Sequence, residues 1–213
     1  PPWLAAIIDL GLIGVFALHH SVAARSGFKA RLARILPPAA ERSTYVLIAS
    51  LLLLILIWHW RPIDGLLWDL QAPLPRGVLV AVYLAGWMLV LASTFQISHG
   101  DLFGISQVLR HWRERPAPEA RFRQPPMYQV VRHPMHAGML VVCWATPTMS
   151  TGHLLFAAAM TAYVLVGIRL EERDLLGLFG DAYRRYRMAT PKLLPLPRRP
   201  DRAAPRAGDR HSR

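Results

Sequence analysis

Three stretches of this chain, Trp3 to Ala24, Thr44 to Trp60 and Gly77 to Ile97, are almost wholly apolar, each close to the roughly 20 residues that a helix needs to cross a bilayer. In lipid, a backbone has no water to bond, so such a run must satisfy its own amides as a helix or join a closed barrel. None of the three alternates polar with apolar residues as a barrel strand would, which leaves the helix. A further apolar region runs from Ala137 to Met149, is interrupted by Ser150, Thr151 and Gly152, and resumes from His153 to Leu170. It reads as a helical hairpin whose first arm is short and bent near Pro147. The expected fold is therefore an all-α integral membrane protein with about five transmembrane helices, over 3–24, 44–60, 77–97, 137–149 and 153–170. A composition 53% hydrophobic and only 18% charged, with mean hydropathy +0.25, agrees with lipid as the main solvent.

Charge orients that topology. The formal net charge is +12, yet apart from Arg61 and Arg76 every one of the 25 Lys and Arg residues falls in connections that this topology places on one side. Cytoplasmic loops carry such an excess, so the N-terminus is expected outside and the C-terminus in the cytoplasm. The high isoelectric point then reflects topology and anionic lipid, and no nucleic-acid partner is expected. Basic residues follow the first apolar run instead of preceding it, which argues against a secretory signal peptide. Trp3, Trp58 and Trp60 fall near the outer interface, with Asp9 as a polar residue at the same level. The single cysteine, Cys143, reads as a packing residue, so no disulfide or cysteine-based zinc site is expected. The tail "RRPDRAAPRAGDRHSR", 198–213, has no periodicity and is expected to be disordered, leaving 1–197 as one membrane domain.

Polar residues gather at the cytoplasmic ends of the spans. His19 and His20 end the first, His99 follows the third, and Arg132, His133 and His136 open the fourth in "RHPMH". Pro134 suits the first turn of a helix, and such an N-terminus offers free amides and positive dipole to a carboxylate. After the fifth span, "GIRLEERDLLGLFGDAYRRYR" reads as an amphipathic surface helix over 167–187 with Leu175, Phe179, Tyr183 and Tyr186 on one face. Glu171 and Glu172 stand there among Arg169 and Arg173, two carboxylates near low dielectric that must pair or bind something. These residues alone leave several readings open. Arg132 could be an interface anchor, the histidines could hold a metal or haem, and a scaffold or transporter is also possible in principle, although no inverted repeat supports transport. No glycine-rich turn follows a strand, and no strand pattern is visible, which excludes a soluble Rossmann-type methyltransferase.

"RHPMHAG", a short hydrophobic hairpin, then "EERDL", "FGDAYRRY" and "PKLLP" together resemble the C-terminal signature of the isoprenylcysteine carboxyl methyltransferase superfamily. "FALHHSVAARSGFK", "PPAAERSTYVLIASLLLLILIWHWRP" and "STFQISHGDLFGISQV" are similar to the bacterial methanethiol S-methyltransferases within it. The resemblance implies a multi-pass enzyme of the bacterial inner membrane that uses S-adenosylmethionine to methylate a small thiol. It implies that Arg132, His133, Pro134, His136 and Gly138 cradle the methyl donor from one side, and that Glu171, Glu172, Tyr183 and Tyr186 close it from the other. His136 stands where the superfamily usually has tyrosine. For the acceptor thiol, His20 or His99 would serve as base and Arg169 would lower the thiol pKa. Prenyl-cysteine carboxylates and lipid amines are the alternative acceptors. The lipid bilayer is the expected partner, with no obligatory protein partner and no metal ligand set.

Overall fold

A computed structural model describes residues 1–23, 25–119 and 121–196, so the expected disordered tail lies outside the described residues. The chain is all-α but for two short strands. Its elements run α1 (Pro2–Ala23), α2 (Ser26–Leu32), α3 (Pro38–His59), β1 (Leu66–Asp69), α4 (Pro73–Ile97), α5 (His99–Leu102) and α6 (Ile105–Trp112). There follow α7 (Pro126–Val130), α8 (Pro134–Trp144), β2 (Thr148–Ser150), α9 (Thr151–Phe179) and α10 (Asp181–Ala189). Among the described residues, α1, α3, α4 and α9 are the four helices long and apolar enough to cross a membrane. Their outer faces, with Ile7, Leu18, Leu54, Val78 and Met88, remain exposed, as lipid-facing surfaces do. Ile13, Leu56 and Met160 form the buried centre where α1, α3 and α9 meet, with Phe16, Trp60, Phe156 and Tyr163 packed against them.

The fourth expected span, 137–149, differs from its reading. The apolar run continues to Met149, but the helix stops at Trp144, so α8 has 11 residues and a length of about 16 Å. That is about half the hydrocarbon core. The bend comes where Pro147 was expected to place it, and a feature absent from the sequence reading holds it. Strand β1 pairs antiparallel with β2, Leu66 opposite Ser150 and Asp69 opposite Thr148, with a bulge between Leu66 and Trp68. The Leu70 amide donates to the Pro147 carbonyl at 3.0 Å, and the Trp68 indole to the Thr146 carbonyl at 3.2 Å. At the same end, the fully buried Asp9 accepts the Arg61 amide at 2.9 Å and so caps the chain leaving α3.

A second correction concerns the expected amphipathic helix over 167–187. Helix α9 instead runs 29 residues without interruption, about 43 Å, and ends at Gly180, whose φ of 53° no bulky residue adopts easily. Only then does α10 begin. Glu171 and Glu172 thus lie well inside a continuous helix, with Glu172 continuing the buried stripe of Met160, Val164 and Ile168.

Gly138 packs tightly against α4. A Cβ built there would lie 2.7 Å from the Gly86 carbonyl oxygen and 2.9 Å from the Val90 side chain, while one on Gly86 would lie 3.1 Å from the Gly138 carbonyl. The two glycines let α8 and α4 touch backbone to backbone, the close approach small residues give membrane helices. Its bareness serves helix packing.

Candidate functional site

Between Val131 and Pro134 the chain is extended and finds its backbone partners far along the sequence. The Arg132 amide donates to the Pro191 carbonyl at 2.8 Å and the His133 amide to Lys192 at 3.1 Å. The "RHP" and "PK" segments are thereby locked together at the basic end of the bundle. Pro134 then opens α8 as its first residue, as expected, with His133 at the N-cap.

The Arg132 side chain is 4% exposed, and Nε and Nη2 both reach Glu172 Oε1, at 2.9 and 2.8 Å. Nη1 donates to the Arg187 carbonyl at 2.8 Å and to the Thr190 carbonyl, which fastens the end of α10. His133 Nε2 lies 3.1 Å from the same Glu172 oxygen, and Arg187 Nε lies 3.7 Å from the other. Arg132 and Glu172 were expected to touch a ligand. Instead each is consumed by the other in a buried knot joining α8, α9 and α10. Glu171 is different. Its side chain is 49% exposed and faces His133 Nδ1 at 3.5 Å. His136 lies beside this pair, its ring 5.5 Å from that of His133. Ligand atoms of His133, His136 and Glu171 fall within 4.8 Å of one another, so these three could hold a metal ion, although His133 would have to loosen its hold on the glutamates.

The aromatic residues of α10 complete this side. Tyr183 and Tyr186 are both buried, with rings 5.7 Å apart and Phe122 edge-on to both. The Tyr186 hydroxyl donates to the Tyr128 carbonyl at 2.6 Å, whereas that of Tyr183 is buried without a partner. Burial pushes the Tyr186 phenol up to about 12 and raises that of Tyr183 as well, so both stay neutral near pH 7.

A second cluster surrounds His20 at the end of α1. Its ring lies 5.6 Å from Phe16, 5.3 Å from Tyr45 on α3 and 6.1 Å from Tyr163 on α9. His19 stacks on the other side of Tyr45, and the Arg42 guanidinium stands 5.0 Å over that same ring. Arg42 is itself fixed by donating to the Leu102 carbonyl at 2.8 Å. Both Nδ1 atoms, of His19 and His20, are buried and unpartnered. His20 lies within electrostatic reach of Arg42 and of His136, and His136 within reach of Glu171. Glu171, His133 and His136 thus form one polar group, and His20 with its rings forms a second within electrostatic reach of it.

His99 and Arg169 do not join it. His99 Nδ1 lies 3.1 Å from the Thr94 hydroxyl, and its ring lies between Phe95 and Phe103 at 4.5 and 4.7 Å. These contacts tie it into the corner between α4 and α5. Arg169 is exposed on α9, one residue beyond the buried Ile168. Conversely, Arg42, Tyr45 and Tyr163 were missed. The signal was a cation and a phenol three residues apart at the start of α3, and a lone tyrosine inside an apolar run, since polar groups within spans are seldom idle.

The resemblance read from the motifs extends across the chain. A methanethiol S-methyltransferase of Mycobacterium tuberculosis is 50% identical over 195 residues, 92% of this chain and 80% of that protein. The methanethiol S-methyltransferase of Pseudomonas deceptionensis is 44% identical over 196 residues, 92% of this chain and 75% of its own length. Nurim of Sus scrofa is 29% identical over 193 residues, 81% of this chain and 72% of that protein. No solved structure matches. Residues 9–193 match the family described as NnrU protein, and the chain belongs to that family.

Proposed function

We propose that the chain is an S-adenosylmethionine-dependent thiol S-methyltransferase that converts methanethiol to dimethyl sulfide in the bacterial inner membrane. The observation that carries this reading is the joining of two dissimilar clusters: a polar one suited to a zwitterionic nucleoside, and a ring-lined one suited to a small apolar nucleophile. Relatives named for this activity support it.

The polar cluster fits the methyl donor. Glu171 keeps a carboxylate edge open for an ammonium or ribose hydroxyls, and the Tyr183 hydroxyl is a buried group in want of a partner. Past Pro134 the first turn of α8 offers unbonded amides to a carboxylate. The buried Arg132–Glu172 knot holds these groups in register without contacting the ligand. S-adenosylmethionine, when bound, supplies an electrophilic methyl on a cationic sulfur. His20 Nδ1 takes the proton of the acceptor thiol, since the thiolate is the nucleophile and even a cysteine thiol has a pKa of roughly 8.5. The positive Arg42 favours the sulfur anion so formed. The rings exclude water and restrict the acceptor's orientation, which can contribute about 7–11 kcal/mol in well-aligned reactions. The methyl–sulfur bond forms as the sulfonium bond breaks, leaving S-adenosylhomocysteine, and the proton leaves His20 once the products have gone and the site opens to solvent.

Detergent-purified protein given S-adenosylmethionine and methanethiol should release dimethyl sulfide, detected by headspace gas chromatography. Absence of product, with S-adenosylhomocysteine failing to bind by calorimetry, would sink the reading. Bound metal in the same preparation would favour the cluster of His133, His136 and Glu171 as a metal centre instead.

Orientation belongs to the same proposal, since the donor is cytosolic and the polar cluster sits at the basic end. A reporter fused after residue 213 should be cytoplasmic, and one between Arg61 and Leu66 periplasmic. The reverse pattern would put the polar cluster out of reach of its donor.

A further inference from the structure

The pocket around His20 is built from three separate helices, α1, α3 and α9, and each contributes one ring: Phe16, Tyr45 and Tyr163. Phe16 and Tyr163 also touch each other edge to face at 6.1 Å, so these rings form an arc around the imidazole and not a loose scatter. The arc is held from behind. The Tyr45 hydroxyl donates to the His20 carbonyl at 3.4 Å, and Arg42 covers the Tyr45 face. Within it, His20 Nδ1 has no partner in the fold, although leaving such an atom buried and unbonded is costly. A packed core would have replaced that histidine or bonded it. The remaining valence points to a ligand that brings a weak hydrogen-bond donor and little else.

The geometry points to this arc as the methyl-acceptor site, and to Phe16, Tyr45 and Tyr163 as the residues that restrict it to short alkyl thiols. The inference rests on the thiol methyltransferase reading and adds the location of the acceptor and the cause of its size limit. With rings already in contact with the imidazole, a thiol of one carbon needs only small side-chain adjustments to bring its S–H to Nδ1. Each added methylene must displace a ring that is itself packed into the Ile13, Leu56 and Met160 core. A thiol's apolar tail suits these walls, whereas a charged acceptor would strand its charge among them.

The test is the ratio of kcat/KM for butanethiol to that for methanethiol, measured on purified enzyme with S-adenosylmethionine. The wild type should favour methanethiol at least tenfold. Tyr163→Ala and Phe16→Ala should each raise the butanethiol-to-methanethiol ratio by tenfold or more, while Tyr163→Phe, which keeps the ring, should stay within about threefold of wild type. Should the alanine variants fail to fold, Tyr163→Leu keeps an apolar side chain in the core and is judged by the same ratio. A ratio unchanged by Tyr163 and Phe16 truncation, in an enzyme that still methylates methanethiol, would overturn the acceptor site alone. A wild type that methylates no thiol would take the functional reading and this site down together.

Discussion

Glu172→Leu should destabilise the protein by about 3–5 kcal/mol, the usual cost of removing one partner from a buried ion pair. Glu172 is 5% exposed and answers two groups at once, Arg132 with both Nε and Nη2 and His133 with Nε2. Without it, a guanidinium that is 4% exposed would keep only carbonyl partners at the end of α10. Thermal unfolding in detergent, followed by circular dichroism, should show a large fall in midpoint, and α10 should become sensitive to protease. Glu171→Gln makes the contrast. Its half-exposed carboxylate holds no knot together, so the fold should survive while S-adenosylhomocysteine binding weakens about tenfold, the worth of one charge-assisted contact of roughly 1.5–3 kcal/mol. Arg132→Met combined with Glu172→Leu should cost less than the two single changes added, because no charge is then stranded. If Glu172→Leu unfolds at the wild-type temperature, the knot does not hold α9 to α10.

The division of labour between adjacent glutamates was not legible in the sequence. "EERD" after an apolar run announces polar business at a membrane boundary, but which carboxylate turns inward depends on the phase of α9, and that phase is set by Met160, Val164 and Ile168. The continuity of α9 was hidden for a related reason. Its charged residues end the hydropathy signal, yet Glu, Arg and Leu are good helix formers, so the helix outlasts the span. The first three spans were plain, because apolar length alone decides them. The half-length of α8 was not, since Pro147 announces a bend but not that the helix already ends at Trp144 and that Thr148 to Ser150 pair with β1. Gly138 was found, but its neighbour Gly86 on α4 was not, because a bare α-carbon does not say what approaches it. Tyr45 and Tyr163 escaped notice since tyrosine passes for apolar in a hydrophobic run, and the packing of His99 between Phe95 and Phe103 was hidden because the chain breaks helix at Ser98 between them.

His20→Ala should lower kcat/KM for methanethiol at neutral pH by about 10²-fold or more, the range for a positioned general base. Three observations set this expectation. Nδ1 is buried and unpartnered, Phe16, Tyr45 and Tyr163 surround the imidazole, and the Arg42 guanidinium stands over the Tyr45 ring beside it. The variant's remaining activity should climb steadily as pH rises, since hydroxide can form the thiolate that the imidazole no longer provides, whereas the wild type should level off once His20 is neutral and the thiol is ionised. Binding of S-adenosylhomocysteine should be nearly unchanged, because the ring faces the acceptor. His99→Ala supplies the comparison. With its imidazole held by Thr94 and two phenylalanines, it should stay within about threefold of wild type, a local packing loss and not a chemical one. A His99 variant that loses as much activity as the His20 variant, with an equally steep pH dependence, would place the base at the α4–α5 corner and empty the His20 pocket of its role.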